Sequence, residues 1–251
     1  MRGGLVLITP TRTIQRTPTG IPGLDELIEG GLLKSRTHLI AGETGTGKTI
    51  FSLQFLLHGV KIGERGIYMA IDEDRENVIR GAEGFGWDVS SLLEKNLLSI
   101  TQIVPGFAEK FKKKYIEAAV GSVIVGIRQE MMRIGATRLV IDPIAPLLTK
   151  EEDLPFTREY IRELVLAIER ELGCTTLIVS EVPTGSNTLS RFGVEEFLAS
   201  GIITLGILRK GNEVYRTLCV RKMRWTAVDP VLYKFRIVRG EGIVVEGPIS
   251  E

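Results

Sequence analysis

The chain is poor in the residues that staple or metallate small folds. Of its 251 residues only two are cysteine and two are histidine. Cys174 and Cys219 lie far apart, with no CxxC or Cys/His spacing, so neither a disulfide framework nor a zinc site is expected. His38 and His58 are too few for a His-rich metal centre. Charge of one sign is missing too: 32 Lys and Arg against 31 Asp and Glu give a net charge of +1. A chain that coats nucleic acid is usually basic, so that class is disfavoured, although a local patch would escape the test. Long apolar runs are also absent. The run Leu5-Val6-Leu7-Ile8 stops at Thr9-Pro10, too short for a signal segment or a membrane span. A cytoplasmic protein with no membrane partner is expected.

What is present suits a large α/β unit. A hydrophobic fraction of 43% supports a substantial core. No internal repeat and no Ser/Pro-rich linker divides the chain, so residues 1–251 read as one domain. Residues 1–30 are rich in Gly, Pro and Thr and read as an irregular lead-in with a short helix near Leu24–Ile28. From Thr37 apolar runs alternate with amphipathic stretches, as in a parallel sheet with crossover helices. The runs are Thr37–Ala41, Gly66–Ile71, Leu97–Ile100, Arg138–Ile141 and Thr175–Val179. Within Thr157–Glu171, Ile161, Leu164, Val165 and Ile168 fall at i, i+3, i+4 and i+7. Past Gly201 the character changes. Ile202–Leu208, Val214–Met223, Val231–Val238 and Ile243–Glu246 are strand-like and separated only by turns, with a hairpin loop at Arg209–Glu213. The fold class is therefore α/β: a mainly parallel, twisted sheet with helices on both faces, extended over 201–247 by antiparallel strands.

One segment carries chemistry outright. Gly42-Glu43-Thr44-Gly45-Thr46-Gly47-Lys48-Thr49 fits GxxxxGK[ST], follows a predicted strand and opens a predicted helix, Lys48–Lys61. Glycines let main-chain N–H groups turn inward around phosphate oxygens, and the helix start adds partial positive charge. Lys48 can reach the β and γ phosphates, and the Thr49 hydroxyl can ligate magnesium.

Parallel strands end on one edge, so residues just past each strand share an edge with that loop. They are Asp72-Glu73-Asp74, Asp142 before Pro143, and Ser180-Glu181. Asp142, closing an apolar run, fits the aspartate that holds magnesium through its water shell. Asp72 or Glu73 can orient the attacking water or take its proton. Ser180 and Glu181 are candidates for sensing the γ-phosphate. Lys222 and Arg224, two apart on a strand, project from one face about 6–7 Å apart and can clamp a phosphate. A solvated strand face would carry them as readily.

Single-stranded DNA is the alternative partner to weigh. Lys110 and Lys112–Lys114 stand among Phe107, Phe111 and Tyr115, a mixture that can bind single strands. A helix with its aromatic face packed and its lysines solvated explains the run better. Of two candidate loops, 183–191 has one basic residue, Arg191, and 150–155 carries three acids against Lys150, which disfavours phosphate contact.

Together these blocks resemble the KaiC-like branch of the RecA superfamily, from about Thr17 to about Gly247. The likeness rests on Gly20-Ile21-Pro22-Gly23-Leu24-Asp25, the phosphate loop, Gly84-Phe85-Gly86-Trp87-Asp88, Arg191-Phe192-Gly193-Val194-Glu195-Glu196-Phe197 and Lys222-Met223-Arg224. The resemblance implies a RecA-like P-loop NTPase core, Mg2+-dependent ATP hydrolysis, and a hexameric ring with ATP between subunits. It also implies that Lys222 and Arg224 reach a neighbour's γ-phosphate. In the family two adjacent glutamates follow the second strand; here the pair reads Asp72-Glu73, one methylene shorter at the first position, so slow turnover is expected. The family's glycine after the arginine is Trp225 here. Glu196 and Phe197 stand where the clock protein carries a Ser-Thr acceptor pair, which argues against an autokinase cycle. Three functions remain distinct: a ring that switches contacts with a protein partner, a recombinase-like ATPase on single-stranded DNA, and an ATP-held scaffold.

Overall fold

A computed structural model describes residues 13–71, 73–102, 116–144, 154–186 and 188–249. Asp72, the run Lys110–Tyr115, Leu5–Ile8 and most of the 150–155 loop lie outside the described residues.

The apolar runs become strands because each is flanked by turn residues, and the central ones are covered on both faces. They are β3 (Thr37–Gly42), β4 (Gly66–Ala70), β5 (Leu98–Gln102), β6 (Arg138–Asp142), β7 (Thr175–Glu181) and β8 (Gly201–Lys210). Every residue of β3, β4 and β6 is buried, as central parallel strands require. With β9 (Glu213–Met223), β10 (Tyr233–Val238) and β11 (Gly242–Pro248) they form one sheet, in the order β11-β10-β9-β8-β3-β7-β6-β4-β5. A small ribbon, β1 (Arg16–Thr17) with β2 (Leu32–Leu33), gives the lead-in more order than its composition suggests.

Strand alternation sorts the core into two layers. Ile40, Tyr68, Val140 and Leu177 face one layer, with Phe51 and Phe55 of α2 (Lys48–Lys61). The same layer holds residues of α1 (Leu24–Leu27), α3 (Arg75–Phe85) and α4 (Val89–Glu94). Leu39, Ile67, Leu139 and Ile178 face the other, with α5 (Ile116–Ile134) and α6 (Leu154–Glu171). On α6 the predicted stripe Ile161, Leu164, Val165 and Ile168 is buried.

The carboxyl-terminal strands differ from expectation at one point. β8 runs parallel to β3, pairing His38 with Gly201 and Gly42 with Leu205, so the antiparallel part begins at β9. A short link through α7 (Glu195–Leu198) returns the chain to the amino edge before β8, and a two-residue turn with Gly211 at φ 62° then reverses it.

The blocks that carried the resemblance have local physical reasons. The Asp25 carboxylate accepts from Thr19 N, Thr19 Oγ1 and Gly20 N at 2.7–3.1 Å, closing the lead-in turn. Gly86 ends α3 at φ 103°, Trp87 donates Nε1–H to the Gly240 carbonyl at 2.9 Å, and Asp88 caps α4. Arg138 is buried among apolar groups, giving N–H groups to Glu64 and to the carbonyls of Pro18 and Phe55. Gly59 makes room for it, since a Cβ there would sit 2.6 Å from Arg138 Cδ.

Candidate nucleotide-binding site

The site begins with a geometric problem the sequence solves. To turn main-chain N–H groups inward, the chain between β3 and α2 must adopt left-handed dihedrals, and Gly45 and Gly47 do so at φ 79° and 104°. Gly42 is fixed for another reason: a Cβ there would lie 2.3 Å from the Leu205 carbonyl oxygen. Thr46 Oγ1 donates to the Glu43 carbonyl at 2.8 Å and closes the loop from within. The first amides of α2 have no intrahelical acceptor and form a donor set at the mouth.

Lys48 turns back over this loop, its Nζ donating to the carbonyls of Gly42 at 2.9 Å and Glu43 at 2.8 Å. It lies 3.9 Å from the Glu181 carboxylate. Burial lowers its pKa, opposed by the charges of Glu181 and Asp142. One turn of chemistry away, Thr49 Oγ1 donates to Asp142 Oδ2 at 3.2 Å. The same oxygen accepts the Tyr68 hydroxyl at 2.5 Å. Burial raises the Asp142 carboxyl above the ordinary range, while hydrogen bonds from Tyr68 and Thr49 and the charge of Lys48 hold it down.

These groups line a cavity of about 500 Å³ at the carboxyl edge, with Thr44, Gly45, Gly47, Ile50, Glu73, Pro143, Glu181 and Ile237. Lys48, Thr49, Asp142, Glu73 and Glu181, expected together, are brought together. Ser180 is not. It is fully buried, donates to Glu195 Oε1 at 3.1 Å and accepts from Arg191 N at 3.1 Å. Alternation along β7 explains this, because Ser180 and Glu181 must point to opposite faces. Glu43 also turns outward, accepting from Gly185 N at 2.9 Å.

Tyr68 and Ile237, like Ile50, escaped the sequence reading. Tyr68 sits two positions before the end of β4, beside β6, and its long side chain leans along the strand to Asp142. The only signal was a lone tyrosine in an apolar run, whose hydroxyl needs a partner when buried. Ile237 of β10 packs against Gly47, where a Cβ would meet its Cδ1 at 3.0 Å. Nothing local could announce a contact spanning the chain.

Lys222 and Arg224 stand elsewhere. β9 is antiparallel to β8, so Met223 pairs with Gly201 and lies at the amino edge. Lys222 Nζ donates to the Glu196 carbonyl at 3.1 Å, and Arg224 to the Phe197 carbonyl at 3.3 Å. The length of β3 separates them from the phosphate loop, about 20 Å at roughly 3.3 Å per residue.

A family model described as "ATPase: KaiC" matches residues 17–249. The chain belongs to the KaiC ATPase family. It is 36% identical to a UPF0273 protein of Pyrococcus horikoshii, over 92% of this chain and 94% of that one. It is 33% identical to the circadian clock oscillator protein KaiC of Prochlorococcus marinus, over 85% of this chain but only 42% of that protein. The crystal structure of a KaiC-like protein from Pyrococcus horikoshii shares the fold, with a TM-score of 0.80, 34% identity, and coverage of 93% of this chain and 100% of that one. The RecA-like, mostly parallel sheet of this KaiC-family chain is thus that of its relatives. No described helix is long and apolar enough to cross a membrane.

Proposed function

We propose that this KaiC-family chain binds ATP with magnesium at the carboxyl edge and hydrolyses it, as one subunit of a homo-oligomeric ring. The observation that carries the reading is the convergence of Lys48, Thr49 and Asp142, from α2 and β6, on one cavity beside left-handed glycines. The loop amides hold the phosphate oxygens, and Lys48 exchanges its two carbonyl partners for the β and γ phosphates. Ile50 and Ile237 give the cavity an apolar wall for a base.

The donor set fits magnesium. A hydroxyl and a buried carboxylate on one hydrogen bond are hard oxygen ligands, and magnesium is held by one or two carboxylates plus phosphates rather than an all-protein cage. When bound, the ion neutralises charge on the β and γ phosphates. Glu73 orients the attacking water, with Asp72 beside it in sequence. Glu181, 3.9 Å from the Lys48 amine, would sense the γ-phosphate through it. The shortened first carboxylate keeps turnover slow.

A ring is supported by what each edge lacks. The carboxyl edge has the phosphate cradle and Lys48, while Lys222 and Arg224 lie on the amino edge, out of reach of their own cavity. Head-to-tail packing joins one subunit's amino edge to the next one's cavity, and such contacts form a ring when the rotation between subunits closes. Six subunits is the number the family likeness implies. Glu43 ties the phosphate loop to the 182–186 surface loop, giving nucleotide state a route to a protein partner.

ATP turnover and particle mass measured together test this, with and without magnesium and single-stranded DNA. Magnesium-dependent turnover, ATP-promoted assembly and indifference to DNA are expected. Lys48→Ala should abolish ATP binding or turnover; a variant retaining both would refute the reading.

A further inference from the structure

Trp225 stands in a place where a tryptophan is costly. It follows Lys222-Met223-Arg224 in the turn leaving β9 and holds φ 57°, a left-handed conformation that strains a bulky side chain. The strain gains little packing among the described residues, because the residue is 81% exposed. Phe197 is 71% exposed, and its carbonyl accepts from Arg224. Two large aromatics therefore stand in water on the segments that meet at the amino edge, around two cations whose hydrogen bonds go to main-chain carbonyls.

We infer that Trp225 and Phe197 are the aromatic anchors of an interface with a second copy of this chain, seated where that copy presents its nucleotide cavity. This rests on the ring reading above and adds residues to it. The occupant is identified by complementarity. The amino edge offers Lys222 and Arg224; the cavity edge offers exposed Glu73, half-buried Glu181 and, when loaded, the phosphates. The two surfaces lie at opposite ends of the same strands, as a head-to-tail contact demands. Exposed aromatics beside an arginine match the composition of energetically dominant interface positions. The left-handed turn keeps the indole pointing outward, at a cost recovered only when a neighbour covers it.

The chain carries its own reporter, since the other tryptophan, Trp87, is already buried against Gly240. The full chain, Trp225→Gly and Trp225→Phe are titrated with magnesium and a non-hydrolysable ATP analogue. Particle mass and tryptophan emission are followed together. Wild type should assemble, with its emission moving to shorter wavelength over the same concentration range. Trp225→Gly should need at least about tenfold more protein to assemble, and Trp225→Phe should lie between the two. If wild type assembles without an emission change, or Trp225→Gly assembles equally well, the anchor assignment is overturned and the ring reading stands. If wild type stays monomeric with nucleotide bound, both fall. An emission shift produced by phosphatidylglycerol vesicles and not by assembly would assign the aromatics to a membrane surface instead.

Discussion

Replacing Tyr68 by Phe removes one oxygen and leaves the shape of the core, so it isolates what the hydroxyl does for Asp142. The phenol is 1% exposed and donates a hydrogen bond to Asp142 Oδ2, which among the described residues otherwise keeps the Thr49 hydroxyl, 3.2 Å away. A hydrogen bond to a charged group is worth about 1.5–3 kcal/mol when lost. Spread over a chain of this size, that corresponds to a fall in Tm of roughly 3–12 °C, at about 2–4 °C per kcal/mol. The hydroxyl is also the largest influence holding the Asp142 carboxyl down against burial, so the variant's carboxyl rises further. A carboxylate that protonates more readily and swings more freely is a poorer magnesium ligand. ATP affinity should therefore fall about tenfold with magnesium, the equivalent of roughly 1.4 kcal/mol, and change little in EDTA. Thermal melts and calorimetric titrations in both buffers measure the two effects. Equal losses of affinity with and without magnesium, or no loss of stability, would refute the argument that Tyr68 acts through Asp142.

Gly59→Ala should destabilise although alanine is the better helix former by about 1 kcal/mol. Its Cβ would press on Arg138 Cδ and Nε at 2.6 Å, and the hydrogen bonds of Arg138 leave it nowhere to go; overpacking of about 1–3 kcal/mol outweighs the gain, as denaturant titration would show. His38 is fully buried, accepts Leu33 N–H at Nε2, and has its pKa lowered to about 3 by burial. Because the unfolded histidine takes up a proton first, its contribution to stability is lost as pH falls from 6.5 towards 3. The loss is about 2 kcal/mol by pH 5, and His38→Gln should flatten that part of the profile in urea titrations. Trp225→Gly should stabilise the isolated subunit: about 1–2 kcal/mol of left-handed strain is relieved and about 0.5–1 returns as backbone entropy, leaving a small rise in Tm at concentrations below assembly. In the proposed ring, where Lys222 and Arg224 serve another subunit's site, specific ATPase activity should rise with protein concentration over the range where particle mass increases. Activity independent of concentration while mass changes would contradict that.

The phosphate loop was legible because its chemistry is local: eight consecutive residues, a strand before and a helix after. Asp142 and Glu181 were legible one step less directly, through the rule that parallel strands deliver their ends to one edge. The same rule brought Ser180 along wrongly, since it knows nothing of strand alternation; adjacent residues cannot both face the cavity. Tyr68, Ile237 and the parallel pairing of β8 with β3 depend on which strands become neighbours, information that no short window holds. Trp225 was visible as a departure from the family pattern, but its meaning needed the dihedral and the exposure. Asp72 and Lys110–Tyr115, among the readings with most weight on function, fall outside the described residues.

The block Arg191–Phe197 is distinctive because it serves both edges of the sheet at once. Its Glu195 carboxylate is fully buried and takes the Ser180 hydroxyl, one residue from the Glu181 that faces Lys48. The carbonyls of the next two residues, Glu196 and Phe197, hold Lys222 and Arg224. A buried carboxylate is expensive unless hydrogen-bonded, so α7 is pinned to the end of β7, and through its carbonyls the two cations are pinned with it. The cavity edge and the amino edge of one subunit are thereby fixed relative to each other by polar contacts as well as by the sheet. In a head-to-tail ring this is the property that matters, because each subunit must present its cations to one neighbour while holding its own nucleotide against the other.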